Sequence, residues 1–233
     1  MQRFYQNAKL GLIEDINNFG IFLDTKPLKT PQKKLFTIPC LKLAEMICEE
    51  WNSQDEIIIP STMPLTRIGY TALDQIEPNR SLYEQQISRY LITDTLCYRV
   101  AHPIELAKIQ DNTWSPLLTW VEKEFGIYLK ETYGVVAIDQ PMRSIKKVND
   151  ILMGLGIWEL SGLLLSVRVS GSLVVGLGMY KNYLDADEAF KVSEVERTWQ
   201  IKRWGEDSEI QEIRRKIKGD FLAAENFFEA ISI

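Results

Sequence analysis

Histidine and cysteine are scarce in this chain of 233 residues, which has one His and three Cys. The single histidine, His102, stands directly before Pro103, and no nucleophile motif of the Gly-x-Ser-x-Gly type occurs near it, which argues against a Ser-His-Asp arrangement. The cysteines at positions 40, 48 and 97 have no Cys-x-x-Cys spacing, so neither a zinc site nor a disulfide framework is indicated. We predict that His102 is a loop or helix-entry residue and Cys97 a packed thiol in a protein of a reducing compartment.

Complete phosphate-binding glycine loops are absent as well. Gly154 with Gly156, and Gly176 with Gly178, do not complete Gly-x-Gly-x-x-Gly, and no Gly-x-x-x-x-Gly-Lys-Ser/Thr stands in the sequence. Helix ends or close packing explain both glycine pairs better. The residues therefore predict no catalytic group, no metal and no cofactor, and hence no enzyme.

The chain lacks an excess of basic charge. Its net charge is −5 and its pI is about 5.2, which argues against a nucleic-acid partner. Basic residues do cluster at 202–203 and 214–216, but acids are interleaved with both clusters. We interpret both as solvated helix faces.

An uninterrupted apolar run of membrane length is also missing. The most apolar stretch, residues 151–180, is broken by Glu159 and Arg168, so we expect a buried core helix and no stable membrane insertion. Within this stretch Gly162, Ser166 and Ser170 recur every four residues. Such a stripe of small residues allows another helix to approach closely.

Period-2 patterns and turn signals occupy the first sixty residues. Four segments are predicted to be strands: residues 10–16, 20–24, 35–38 and 57–59. A turn is expected at residues 17–19. A helix is predicted where Ala44, Ile47, Cys48 and Trp51 share one face, with Trp51 in the core.

After Pro64 the apolar period becomes helical. Helices are expected from about Ser144, Ile157, Asp185 and Asp207, with Asp185 and Glu188 placed as a capping box. We predict an α+β fold with two domains. Residues 1–65 form a small N-terminal α+β domain, and residues 66–233 form a larger all-helical domain of the orthogonal-bundle type.

The most informative segment spans residues 193–207, with the sequence SEVERTWQIKRWGED. It contains two of the six tryptophans and many charges, but no Cys or His. Trp and Arg flanked by charge are typical of protein recognition rather than of bond-breaking chemistry.

This segment resembles the signature of a known family, the assembly chaperones that bind the alpha subunit of the catalytic head of the F-type ATP synthase. The family pattern is an acidic position, an aromatic residue, Gln-Ile, a Trp-Gly pair and further acid. It is met here by Glu196, Trp199, Gln200, Ile201, Trp204, Gly205, Glu206 and Asp207. Six further blocks resemble the family in the same order: residues 3–5 (RFY), 23–24 (LD), 28–31 (LKTP), 50–51 (EW), 62–67 (TMPLTR) and 94–99 (DTLCYR).

The resemblance implies a non-enzymatic chaperone that binds the unassembled alpha subunit, masks its apolar subunit interface and promotes assembly of the proton-transporting complex. An unassembled subunit exposes such a face, and large exposed apolar patches aggregate. The implied partner-binding residues are Glu194, Glu196, Trp199, Trp204, Gly205, Glu206 and Asp207. For Trp199 and Trp204 a place in the core is an equally open interpretation, because tryptophan is usually largely buried.

Two other functions remain open at this stage. One is a small-molecule enzyme with its site between the two domains, which a thermal-shift screen with metabolites would detect. The other is a structural subunit of the synthase, which would be present stoichiometrically in the finished complex. We expect a monomer in the bacterial cytoplasm, because the N-terminus carries neither a secretory signal nor a transit peptide. The alternative location is the mitochondrial matrix after removal of a leader.

Overall fold

The computed structural model describes residues 1–13, 18–134 and 136–232. The strands are β1 (Ala8–Ile13), β2 (Asn18–Leu23), β3 (Lys26–Pro27), β4 (Thr37–Ile38), β5 (Tyr98–Arg99) and β6 (Thr132–Tyr133). The α-helices are α1 (Leu41–Asn52), α2 (Pro64–Tyr70), α3 (Arg80–Arg89), α4 (Ile104–Phe125), α5 (Met142–Gly154), α6 (Ile157–Ser170), α7 (Leu173–Tyr180), α8 (Ala186–Ser193), α9 (Val195–Trp204) and α10 (Ser208–Ile231). The predicted fold class is confirmed: a small N-terminal sheet region precedes a mostly helical region.

The contacts within the chain define two compact units. The first unit comprises Met1–Arg80, Gly156–Gly162 and Asn226–Ile233, and the second comprises Ser81–Leu155 and Leu163–Glu225. Helices α6 and α10 therefore contribute residues to both units. The domain boundary at residue 65 stays a prediction.

The sheet of the first unit is built around β2, which pairs antiparallel with β1, β3 and β4. The register between β1 and β2 runs from Ala8 opposite Leu23 to Ile13 opposite Asn18. Asn18 and Phe19, predicted in a turn, belong to β2. The predicted strand end at residues 14–16 and Asn17 lie outside the described residues.

The predicted strand at residues 57–59 is wrong. Only Ile57 pairs, in an isolated bridge to Gln2, and Ile57 and Ile59 are exposed. The backbone N–H of Ile59 donates to the side-chain oxygen of Gln54 at 2.8 Å, and a 3₁₀ turn follows at Pro60–Thr62. These local bonds replace the ladder that a β-branched run would otherwise continue.

Helix α1 confirms the predicted apolar face. Trp51 is 5% exposed, and its backbone carbonyl accepts a 2.6 Å hydrogen bond from the Tyr5 hydroxyl. On another side of α1, Glu50 accepts from the N–H groups of Leu65 and Thr66 at 2.7 and 2.8 Å. These N–H groups lie in the first turn of α2, where a helix has no internal acceptors, so Glu50 caps α2 from outside.

The apolar stretch at residues 151–180 contributes to three helices rather than one. Gly154 ends α5, and Gly171, with φ of +68°, separates α6 from α7. The small-residue stripe is confirmed at Gly162, where a Cβ atom would lie 2.7 Å from the Phe228 ring. None of the helices in the described ranges is both long enough and apolar enough to cross a membrane.

Helix α4 is the longest element that belongs to the second unit alone. It carries Trp114, which is fully buried and donates its indole N–H to the carbonyl of Val192 at 2.9 Å. The predicted capping box at Asp185 and Glu188 is confirmed at the start of α8. The helix expected from Asp185 is interrupted at Glu194, where α8 ends and α9 begins.

Candidate partner-binding site

Glu194 lies at the junction of α8 and α9 and is 5% exposed. Its two carboxylate oxygens face arginines, Oε1 lying 3.5 Å from Arg197 Nη1 and Oε2 lying 3.2 Å from Arg214 Nε. A buried carboxylate needs such partners, because burial without compensation is costly. Glu194 therefore fixes the α8–α9 junction to α10.

Arg214 of α10 contacts residues of α8, of α9 and of the loop between α9 and α10. Its Nη1 lies 3.1 Å from Glu206 Oε1, and its Nη2 donates to Thr198 Oγ1 at 3.2 Å. Its guanidinium also lies 5.3 Å from the centre of the Phe190 ring. With 19% of its side chain exposed, Arg214 contradicts the prediction of a solvated basic face at residues 214–216, which fits only Arg215 and Lys216. The sequence pattern failed here because a single inward position in a basic run carries no periodic signal.

Glu196 is half-buried and is held by α4. Its Oε1 accepts a 2.7 Å hydrogen bond from Gln110 Nε2, and Gln110 Oε1 accepts from the backbone N–H of Val100 at 2.8 Å. Gln110 is fully buried, so both ends of its amide depend on these two partners. The chain fixes the position of the Glu196 carboxylate through a side chain on another helix.

Trp199, Arg203 and Trp204 form an exposed corner at the C-terminal end of α9, which we call the Trp204 surface. Trp204 is 73% exposed, and its ring meets that of Trp199 edge-to-face at 5.8 Å. The Arg203 guanidinium lies 4.4 Å from the centre of the Trp199 ring, and it also pairs with Glu105 at the start of α4. Neither tryptophan is a core residue.

Gly205 and Asp207 join α9 to α10. Gly205 has φ of +87°, a conformation that glycine adopts without strain, and its N–H donates to the Ile201 carbonyl at 2.8 Å. Asp207 Oδ1 accepts from the N–H of Ile210 at 2.8 Å, as an N-cap of α10 does. These two residues set the direction in which the chain leaves the Trp204 surface.

Four of the seven predicted site residues meet in two pairs. Glu194 and Glu206 meet at Arg214, and Trp199 and Trp204 meet at the Trp204 surface, whereas Glu196 is held separately by α4. The sequence interpretation missed Gln110, Arg214 and Glu105. Gln110 and Glu105 reach α9 from α4, far away in the sequence, and Arg214 reaches it from α10, so no pattern within one helix marks these contacts.

The cysteines and the histidine lie outside the segment of residues 193–207. Cys97 is fully buried, and burial raises the pKa of its thiol, which confirms the packed thiol. His102 precedes α4 as predicted. No cluster of three or more metal-binding side chains occurs within the described ranges. An exposed tryptophan such as Trp204, packed edge-to-face on Trp199, is of the residue type that anchors protein interfaces.

The fold combines a small sheet region with a larger helical part. A model of the ATP12 chaperone protein family matches residues 2–122. The chain belongs to this family, which confirms its resemblance to the ATP synthase assembly chaperones.

Relatives extend the likeness over nearly the whole chain. The mitochondrial protein atp12 of Schizosaccharomyces pombe is 28% identical over 210 residues, which are 83% of this chain and 70% of that protein. The crystal structure of Atp12 from Paracoccus denitrificans is 29% identical with a TM-score of 0.92, covering 99% of this chain and 98% of that one. A point mutant of the same Paracoccus protein is 30% identical with a TM-score of 0.91, covering 98% and 97% of the two chains. Segment 193–207 lies beyond the family match but within the reach of these structural matches.

Proposed function

We propose that this protein is a non-enzymatic chaperone that binds the unassembled alpha subunit of the ATP synthase catalytic head as a transient client. It masks the apolar subunit interface of that client and yields it during assembly of the proton-transporting complex. Membership of the ATP12 chaperone family supports the chaperone role, and the family resemblance of the sequence supports the choice of client.

The exposed Trp204 side chain is the observation that carries this proposal. A tryptophan left 73% exposed on an ordered helix end is a ready anchor for a partner, because Trp and Arg dominate the energetics of protein interfaces. Arg203, which contacts the Trp199 ring, and the fixed Glu196 carboxylate in the first turn of the same helix add polar groups of both signs to α9. In the proposal Glu194, Glu206, Gly205 and Asp207 position this surface, and Glu196, Trp199 and Trp204 contact the client.

The chaperone acts as a monomer in the bacterial cytoplasm or, in a mitochondrial setting, in the matrix. Relatives in Paracoccus denitrificans and in the mitochondrion of Schizosaccharomyces pombe support both settings. The net charge of −5 favours a client surface that carries basic groups.

The test is co-expression of the alpha subunit with the wild-type protein or with Glu196→Gln or Trp204→Ala, followed by measurement of soluble, co-purifying alpha subunit. Glu196→Gln keeps an oxygen for Gln110 but loses the charge, so it is expected to melt like the wild type. Each variant is expected to lose about 2 kcal/mol of client binding, about thirtyfold in affinity.

Matched controls separate recognition from general surface effects. Glu124→Gln makes the same charge change on an exposed part of α4, about 20 Å along the helix axis from Gln110. Tyr133→Ala removes another exposed aromatic side chain. Both controls are expected to hold the client. Wild-type protein that recovers no alpha subunit would reject the client, and site variants that bind like the controls would reject the site.

A further inference from the structure

Helix α10 has a glycine, Gly219, in its interior. Glycine destabilises a helix interior relative to other residues, so its presence there calls for a physical reason. Close packing supplies that reason elsewhere: a Cβ atom on Gly176 would lie 2.5 Å from Val167, and one on Gly178 would lie 2.9 Å from Leu184. At Gly219 nothing lies within 4 Å of the added atom.

For the other glycines with nothing within 4 Å of an added Cβ atom, the backbone conformation or the position at a helix end explains why glycine occurs there. Gly134 and Gly205 have φ of +92° and +87°, and Gly154 is the last residue of α5. Gly219 has a helical backbone and no close neighbour, and it lies in the interior of its helix, whereas Gly154, which shares these two features, stands at a helix end. Its lack of a side chain therefore leaves space at the molecular surface.

That space belongs to a groove of about 410 Å³ between the start of α8 and α10. Ala186, Gly219 and Leu222 line its apolar part, and Leu222 is 51% exposed. The volume is within the range of sites that enclose a ligand or a large side chain, about 300–1,000 Å³. The open glycine lets an apolar group from a partner reach the backbone of α10.

Charges on the groove favour a basic partner. The two cations that line it are already paired: Lys218 Nζ lies 2.9 Å from Asp187, and Arg215 donates to Glu212 at 2.9 Å. The Asp185 carboxylate, in contrast, makes no ion pair with any described residue. Three acidic residues (Asp185, Asp187 and Glu225) and two basic residues (Arg215 and Lys218) line the groove, so its lining has one acid more than bases and complements a lysine or an arginine.

We propose that the groove lined by Asp185, Ala186, Gly219 and Leu222 is a second docking site for the client, and that it takes an apolar side chain flanked by a lysine or arginine. This inference rests on the proposed chaperone function and adds to it a contact separate from the Trp204 surface. A client held at two points is bound more tightly than at either alone, since the second contact forms within the complex.

Filling the groove tests the proposal. Gly219→Leu places a side chain in open space and improves helix propensity, so its Tm is expected to rise by about 2 °C. The alpha subunit that co-purifies from co-expressing cells is expected to fall about tenfold. Gly154→Leu is the matched control, because it also adds a leucine at a helical glycine with nothing within 4 Å, and it is expected to hold the client like the wild type.

The outcomes separate the two proposals. If no alpha subunit co-purifies with the wild-type protein, the proposed function is rejected, and so is the alpha subunit as the partner that binds the groove. Wild-type-like recovery with Gly219→Leu rejects the groove alone, as does an equal loss with Gly154→Leu. If Gly219→Leu lowers the Tm, the test variant becomes Leu222→Ser, at the exposed edge of the groove. Recovery of as much alpha subunit with Leu222→Ser as with the wild type also rejects the groove.

Discussion

Two carboxylates of this protein, Asp94 and Glu50, accept hydrogen bonds from N–H groups at the starts of helices. Asp94 is fully buried, with Oδ1 accepting from the N–H of Leu96 and Oδ2 from the N–H of Val174, each at 3.1 Å. Burial raises the pKa of Asp94 to about 6, while the Ser172 side chain and backbone N–H groups act in the opposite direction. Burial likewise raises the pKa of Glu50, the external cap of α2. Two blocks of the family resemblance thus contain internal caps.

The raised pKa of Asp94 predicts that folding stability falls as pH rises. Since the folded-state pKa of about 6 exceeds the usual 3.8, the folded protein holds a proton that the unfolded chain releases. This stabilisation is fully present below about pH 4 and is lost as pH rises through about 6, a change of up to about 3 kcal/mol. We expect the free energy of unfolding of the wild type to fall more steeply over this range than that of Asp94→Asn.

Denaturant titrations at several pH values measure this difference. Asp94→Asn is also expected to be less stable at every pH, because it cannot accept from both Leu96 and Val174. Asp139→Asn, at an exposed position, serves as the control and is expected to follow the wild-type slope. Parallel curves for the wild type and Asp94→Asn would show that Asp94 does not titrate in this range.

At the scale of the element, close packing decides which small residues a helix can exchange. Gly162 of α6 lies against the rings of Phe227 and Phe228, 3.0 and 2.7 Å from an added Cβ atom. We expect Gly162→Ala to destabilise the protein by about 1–3 kcal/mol, because the rings must move. That loss corresponds to a fall in Tm of about 2–4 °C per kcal/mol.

Gly154→Ala makes the same change at a helical position with open surroundings. Its Tm is expected to stay at or above the wild-type value, since alanine favours the helix. Differential scanning calorimetry of both variants decides the point. Equal shifts would mean that helix propensity, and not contact with the phenylalanine rings, governs Gly162.

On the scale of the whole molecule, the first unit draws its core from distant parts of the chain. The Phe36 and Trp158 rings lie 6.4 Å apart, those of Trp158 and Phe227 lie 6.2 Å apart, and the Cys40 thiol donates to the Ala230 carbonyl at 3.2 Å. A cut at the predicted boundary after residue 65 would separate Phe36 and Cys40 from these partners.

We therefore expect a fragment of residues 66–233 to expose Trp158 and Phe227, to bind an apolar dye and to unfold at lower denaturant than the intact chain. Circular dichroism against denaturant, with dye fluorescence on both proteins, measures this. A fragment with an intact, cooperative transition and no dye binding would show instead that residues 66–233 are an independent domain.

Local patterns were sufficient for the elements whose signals are local. The apolar face of α1, the capping box of α8 and the change to helical period after Pro64 could all be read from the sequence, because each depends on neighbours within a few residues. The strand predicted at Ile57 failed because the Gln54 side chain takes the N–H of Ile59. The prediction of one helix from Asp185 missed the break between α8 and α9, because the ion pair of Glu194 with Arg214 of α10 has no signal in the local pattern.

From the sequence alone the fold class and the family could be predicted, and residues 193–207 were proposed as a recognition segment. The surroundings of each residue there became known only from the folded chain: Glu194 is buried against two arginines, Glu196 is fixed by Gln110, and Trp204 is exposed. The physical reason is range. Arg197 is a helical neighbour of Glu194, but Arg214 and Gln110 reach Glu194 and Glu196 from other helices, and a single sequence carries no periodic signal for such contacts.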